Sequence, residues 1–256
     1  MLKIVHFVMV FIFITFILTI CTAFRFGYCC KSIKTPYIIK NAGSQMIAYH
    51  KWNDEYLREK IGHKYYRIEK SYSNIFSPDD PNSKAKNVEM TFDEFSQKYI
   101  DNEMNGSNKK HSNYYFAEVK VPKKLLPDIH HSMFDKIQKK PFERNMFLGV
   151  GGNITRTHFD SYENYYFLMD GTKEFYLISP KYNDSLYIPK ESNGQYSNYL
   201  NVDIENIDYD KYPKMKDVEI MHFKLEKGDM LFIPYEWWHL VKSGLDRNLA
   251  VSYWYT

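Results

Sequence analysis

From Tyr114 to Tyr255 the sequence repeats one pattern. Short runs rich in aromatic and β-branched residues ("YYFAEV", "NMFLGVGG", "ITRTHF", "NYYFLM", "KEFYLISP", "VEIMHFKL", "DMLFIP", "HLVKS", "LAVSYWY") alternate with turn signals, notably Gly171, Pro180, Gly228, Pro234 and Gly244. An amphipathic helix needs a longer stretch of 3.6-residue periodicity than any of these runs supplies. Many short strands broken at such intervals predict an all-β sandwich or barrel.

The segment before this core reads differently. "PYIIKNA" and "KYYRIEKS" are strand-like. "KWNDEYLREKIG" has Asn53 or Asp54 as a cap, apolar residues at helical spacing and a stop at Gly62, which predicts a helix. "TFDEFSQKYIDNE" opens with Thr91 and Glu94 in capping-box spacing, ahead of Phe92, Phe95 and Tyr99 on one helical face. Residues 77–89 and the stretch "NGSNKKHSN" read as polar loops. One domain over residues 36–256 is expected: a β core with helices packed on its N-terminal side.

Ile4 to Phe24 is an unbroken apolar run with His6 and a few threonines as its polar members. Its length suits a single membrane span better than a signal-peptide core, although "CTA" before Phe24 offers a cleavage site. Residues 1–35 are therefore expected to be an apolar anchor or signal with a basic tether. An endoplasmic-reticulum membrane is the expected location, with a secretory lumen as the alternative after cleavage. Lys3, Arg25, Lys31 and Lys34 flank the run, which tilts a retained anchor weakly toward a cytosolic body. Without these four the chain has 30 basic and 31 acidic residues, from totals of 34 and 31. A near-neutral body lacks the electrostatic footprint of a nucleic-acid binder. Cys21, Cys29 and Cys30 lie in or beside the run, so the body has neither a disulfide framework nor a thiolate metal site. Sequons stand at Asn105, Asn153 and Asn183.

Three residues far apart could meet. His158 and Asp160 are two apart in "TRTHFDSYENYYFLMDGTKEFYLISP". On a strand, positions i and i+2 face the same way, so an imidazole and a carboxylate would emerge together. His239 follows two tryptophans in "GDMLFIPYEWWHLV", near the end of a further strand run. Two imidazoles and a carboxylate on one face of a metal form the facial triad of non-haem iron(II) oxygenases. Taken singly, His-x-Asp reads as a hydrogen-bonded pair and His239 as a satisfied core histidine. Lys173, Thr155 and Tyr115 add an ammonium and two hydroxyls that could reach the same cavity. Trp237, Trp238 and Phe232 could supply apolar walls.

The stretches "TRTHFD", "NYYFLMDGTKEFYLISP" and "GDMLFIPYEWWHLV" resemble the JmjC domain, most nearly the compact JmjC or cupin-like hydroxylases grouped with the asparaginyl hydroxylase of hypoxia-inducible factor. The resemblance runs from about Pro36 to the end, specific at these motifs and loose between them. It implies a double-stranded β-helix (jelly-roll or cupin) core. His158, Asp160 and His239 would bind iron(II). Lys173 would pair with the distal carboxylate of 2-oxoglutarate, with Thr155 and Tyr115 bonding the same end. Asn164 and Tyr166 would line the pocket. Ser252 stands where the asparaginyl hydroxylase has an asparagine near the co-substrate, and Trp254 falls at the family's aromatic position. Dioxygen would be the oxidant and a protein or peptide side chain the substrate. The Ser252 departure leaves the target residue open, and a dimer through a C-terminal helical region is not expected. Methyl-lysine demethylation, a cupin of another reaction type and a non-catalytic tethered barrel are the competing expectations.

Overall fold

The structure, a computed structural model, describes residues 35–76, 85–104, 113–136 and 140–256. The apolar run Ile4–Phe24, the basic tether, the three cysteines and the Asn105 sequon lie outside these residues. Among the described residues no helix is long and apolar enough to cross a membrane.

Two compact units divide the chain. Residues 35–131 and 139–256 form the larger, and the other contributes, among the described residues, a 3-10 turn at Ser132–Lys136. The larger unit is mainly β, as its punctuation predicts. Its strands are β1 (Tyr37–Ile39), β2 (Tyr65–Ser71), β3 (Ile75–Phe76), β4 (Lys86–Thr91), β5 (Asn113–Lys120), β6 (Glu143–Gly149) and β7 (Ile154–His158). There follow β8 (Glu163–Asp170), β9 (Thr172–Ile178), β10 (Ile220–Glu226), β11 (Met230–Ile233), β12 (Trp238–Ser243) and β13 (Asn248–Tyr255). One eight-stranded sheet has the order β1-β11-β8-β13-β6-β5-β2-β4, and a five-stranded sheet the order β10-β9-β12-β7-β3. Among the described residues, strand pairing is antiparallel except between β3 and β7. Two sheets of this kind are consistent with a cupin or jelly-roll fold.

Helix α1 (Ile47–Lys51) is short, and α2 (Asp54–Ile61) and α3 (Phe92–Met104) begin where the caps place them. The Asn53 side chain accepts from the Tyr56 amide at 2.8 Å, satisfying one of the orphan donors of the first turn of α2. At α3 the Glu94 amide donates to Thr91 Oγ1 at 3.2 Å, and Glu94 Oε2 accepts from the Thr91 amide at 2.7 Å, a reciprocal capping box. Of the polar stretch 77–89, expected to be a loop, residues 77–84 lie outside the described residues, and Lys86 onward is strand β4, which pairs with β2.

Between the sheets lies the core. Tyr166, Leu168, Leu231, Ile233 and Ala250 of the large sheet meet Phe175, Leu177 and Leu225 of the small one, with Trp237 at the edge. Burying each large apolar side chain contributes about 1.5–3 kcal/mol, so this interface holds the sheets face to face. The outer face of the small sheet is covered as well. Ile178, Trp238 and Leu240 pack on Leu186, Leu200, Val202, Ile204 and Met215 from the long β9–β10 connection. Strand alternation thus sorts the two tryptophans: Trp237 joins the inner core and Trp238 the outer layer. Phe232 also turns away from the chamber, its ring against Tyr37 and Tyr165, so of the three proposed wall residues only Trp237 faces inward.

Gly171 alone joins β8 to β9, with φ +80, and a Cβ there would lie 2.4 Å from the Arg247 carbonyl oxygen. Both the left-handed backbone and the backbone clash oppose a side chain. Gly171→Ala is expected to lower stability by about 3 kcal/mol in urea melts, a loss typical of strain at such positions.

Candidate metal centre

His158 is the last residue of β7, and His239, the second residue of β12, pairs directly with it. His239 therefore lies near an end of its strand, the first one. Partners in a ladder point to one side of the sheet, so the two rings converge, with centroids 4.2 Å apart. Asp160 lies beyond the end of β7, and strand alternation is not what aims it. It is placed by its main chain: its carbonyl accepts from the Glu236 amide at 3.1 Å, and the Phe159 amide before it donates to the Asn198 carbonyl at 3.0 Å. One ligand atom from each of His158, Asp160 and His239 lies within 4.8 Å of the others. His239 Nε2 is 3.7 Å from Asp160 Oδ2.

Both imidazoles are oriented. His158 Nδ1 lies 2.8 Å from the Arg156 carbonyl and His239 Nδ1 2.9 Å from the Trp237 carbonyl. A carbonyl only accepts, so each Nδ1 carries the proton and each Nε2 keeps its lone pair for a metal. Burial, then the neighbouring His158, lowers the His239 pKa to about 4, which leaves a neutral ligand at physiological pH.

Register brings the other residues in. The Leu177 and Phe175 side chains of β9 lie opposite His239 and Val241, and Lys173 lies opposite Ser243. All share the inner face. Lys173 thus sits four residues along from the metal row, about 13 Å of strand rise, on the same inner face. It is 1% exposed, donates to Ser243 Oγ at 2.6 Å and lies 5.8 Å from the Tyr115 ring centre. No carboxylate pairs with it among the described residues, and burial lowers its pKa to about 7. Thr155 stands three residues before His158, a spacing that would normally put it on the opposite face. A bulge resets the count: β12 advances two residues from His239 to Val241 while β7 advances three from His158 to Thr155. Thr155 consequently faces inward with the ligands.

Across the chamber, the large sheet presents polar atoms that lack partners. Tyr166 pairs with Ser252, which pairs with Asn145, while Asn164 pairs with Trp254. Tyr166 belongs to the inner core, so the ladder puts Asn145, Asn164, Ser252 and Trp254 on that same side. Asn145 Oδ1, Asn164 Oδ1, Ser252 Oγ and Trp254 Nε1 are buried without a hydrogen-bond partner. Each such orphan costs about 1–3 kcal/mol, which a polar ligand would relieve. At the rim, β5 bulges between Phe116 and Val119, and Glu118 takes φ 51 there. Partial desolvation, then the Asp160 charge, raises the Glu118 pKa, while His158 opposes the shift. Burial, then Glu118, raises Glu69 to about 7.

The residues expected to hold metal and co-substrate are therefore brought to one side of the sheets, whereas the expected wall residues Phe232 and Trp238 are not. Sequence reasoning missed Ser243, Asn145, Glu118 and Glu69. Counting by twos from His239 reaches Ser243, and Asn145 alternates with Phe147, so both left a signal. Glu118 left none, because its direction depends on a bulge. The Asn153 sequon is 3% exposed, so its side chain is no glycan acceptor in the folded chain.

Known proteins resemble this chain in sequence. The profile of the cupin-like domain family matches residues 25–256. Lysine-specific demethylase JMJ30 of Arabidopsis thaliana is 28% identical over 227 residues, 87% of this chain and 50% of that protein. Lysine-specific demethylase 8 of Xenopus tropicalis is 24% identical, covering 86% of this chain and 48% of its own. HSPB1-associated protein 1 of Homo sapiens is 26% identical, covering 87% and 48%. The chain spans about half the length of these relatives.

Proposed function

The chain belongs to the cupin-like domain family, with JmjC-domain relatives, and from that membership we propose that it is an iron(II)- and 2-oxoglutarate-dependent dioxygenase that hydroxylates a protein side chain. The observation that carries this reading is a pair: three convergent ligand atoms, and a buried ammonium deeper in the same chamber with no carboxylate of its own. On this reading the two sheets are a double-stranded β-helix.

The residues fit the groups. Two neutral imidazoles and a carboxylate suit iron(II) and leave adjacent positions open. Lys173 and Ser243, with the Tyr115 ring beside the ammonium and Thr155 on the same face, would receive the distal carboxylate of a dicarboxylic acid. Asn164, Ser252 and Asn145 supply hydrogen-bonding atoms along its length, and Tyr166 a wall. Bound there, iron(II) with 2-oxoglutarate and dioxygen supplies an oxidation that inserts oxygen into a C–H bond while the co-substrate becomes succinate and carbon dioxide. The chain's own part is positional. Trp237, Phe175 and Leu177 exclude water, the Arg156 and Trp237 carbonyls hold the imidazoles in one tautomer, and Lys173 sets the direction of the co-substrate. Methyl-lysine demethylation is the second reading, favoured by the names of two relatives, and it uses the same C–H oxidation on an N-methyl group. The run Ile4–Phe24 is assigned as a single membrane anchor; carbonate extraction that releases the full chain from membranes would remove that assignment.

Succinate formation from 2-oxoglutarate with iron and ascorbate tests the reaction, with His158→Ala as the control. Equal turnover by both proteins sinks the reading. Affinity for 2-oxoglutarate should also depend on pH. With Lys173 titrating near 7, the ammonium that receives the dianion disappears above that value. The Kd is expected to rise by up to about tenfold per pH unit between 7.5 and 9, measured by calorimetry with manganese in place of iron.

A further inference from the structure

We propose that the chain has a second pocket, separate from the metal chamber, that takes a positively charged side chain of the protein substrate. This rests on the reading above only in naming a protein as the ligand.

A cavity of about 420 Å³ opens on the outer side of the small sheet. Its aromatic lining comprises Phe159, Tyr187, Tyr196 and Trp238, and its charged lining Asp184 and Glu236. Among its described lining residues there is no lysine or arginine. Phe159 stands between His158 and Asp160, and Trp238 directly precedes His239. The pocket wall is therefore the reverse side of the two segments that carry the ligands. Phe159 and Trp238 meet edge to face at 4.7 Å, and the Trp238 indole N–H donates to Asn183 Oδ1 at 2.8 Å, which fixes the wall. Glu236 is tied to the metal site, since its amide donates to the Asp160 carbonyl.

The chemistry selects the occupant. Aromatic faces attract cations, and carboxylates beside them deepen that attraction. The chain's own lysines already approach this lining, Lys214 Nζ donating to the Asp184 carbonyl at 3.4 Å, while the Asp184 and Glu236 carboxylates would repel an anion. Tyr196 already draws a cation: the Lys190 ammonium lies 5.3 Å from its ring centre. Tyr187 and Glu236 both hold left-handed backbone, with φ 51 and 60, so two of the chain's four described non-glycine residues of this kind border one cavity. Such conformations persist where surrounding structure holds them. The pocket and the triad share two short segments, with Phe159 between the ligands His158 and Asp160 and Trp238 beside His239.

The test titrates the full chain with the capped peptide Gly-Gly-Lys-Gly-Gly and its norleucine counterpart by calorimetry. The lysine peptide is expected to bind at least about tenfold more tightly. The Asp184→Asn, Glu236→Gln double variant should lose about tenfold and Tyr196→Leu about threefold, with melting temperatures unchanged. The proposal is overturned if both peptides bind alike, if neither binds at millimolar concentration, or if Glu118→Gln removes binding while the double variant keeps it. The His158→Ala protein separates the two readings. It should bind the lysine peptide as the parent does, whether or not the parent forms succinate; loss of peptide binding there would place the site in the chamber and overturn the second pocket.

Discussion

Asp160→Ala is expected to abolish metal-dependent behaviour while leaving the fold intact. Asp160 is the one anionic member of the triad, with its carboxylate 3.7 Å from His239 Nε2. Without it, two neutral imidazoles hold a divalent ion with no charge compensation. Loss of an outer-shell partner already costs about 10–100-fold in metal affinity, so loss of a ligand should exceed about 100-fold. The fold should survive because Asp160 is anchored through its main chain: its carbonyl accepts from the Glu236 amide, a bond that alanine keeps. Thermal shift reads both halves at once. At 100 times the Kd of the parent, manganese should add about 2.7 kcal/mol of stability to the parent and almost none to the variant. Without metal the two should melt within a degree or two of each other. A variant stabilised by manganese as strongly as the parent would remove Asp160 from the site.

Lys173→Met is expected to stabilise the ligand-free protein and remove co-substrate binding together. The ammonium is fully buried and bonded only to a neutral hydroxyl and a ring face. Burying such a charge costs several kcal/mol, and methionine nearly matches the lysine stem in shape. A gain of about 2 kcal/mol, or roughly 5 °C in Tm, is expected after the cost of leaving Ser243 Oγ unpaired. Binding of 2-oxoglutarate should fall by more than about 100-fold, because the distal carboxylate would then be the unpaired buried charge. The parent's pH dependence has a definite sign. Its folded Lys173 pKa, about 7, lies below the ordinary 10.5, so the unfolded chain binds more protons between those values. Stability of the ligand-free parent therefore rises from pH 7 toward 10, and the methionine variant should lose that rise. A destabilised variant that still binds 2-oxoglutarate would make Lys173 an ordinary core residue.

Other charges around the chamber show how function constrains this fold. Four orphan polar atoms, on Asn145, Asn164, Ser252 and Trp254, and the αL backbone at Glu118 oppose stability, and the ladder places the four on the chamber side of the large sheet. Such concentrations of unpaired polarity and strain occur where a ligand completes the site.

Strand positions were legible because they depend on local chemistry. The runs from Tyr114 onward became β5 to β13, and the Asn53 and Thr91 caps set the starts of α2 and α3 within a residue. The triad and Lys173 were legible as residue types at motif spacing. The run 77–89 was misread at its end because β4 is polar on its exposed side and its pairing with β2 is a non-local fact.

By itself the sequence determined the β class, the helix caps and the identity of the chemistry-bearing side chains, since those follow from propensity, punctuation and composition over a few residues. Tertiary structure alone decided that Asp160 reaches the histidines from beyond its strand, that a bulge turns Thr155 inward, that Asn145 and Glu118 face the chamber, and that Trp237 and Trp238 serve opposite sides of one sheet. Each of those depends on register against a strand distant in the chain. A one-residue change in register sends every side chain to the other face, and nothing local records it.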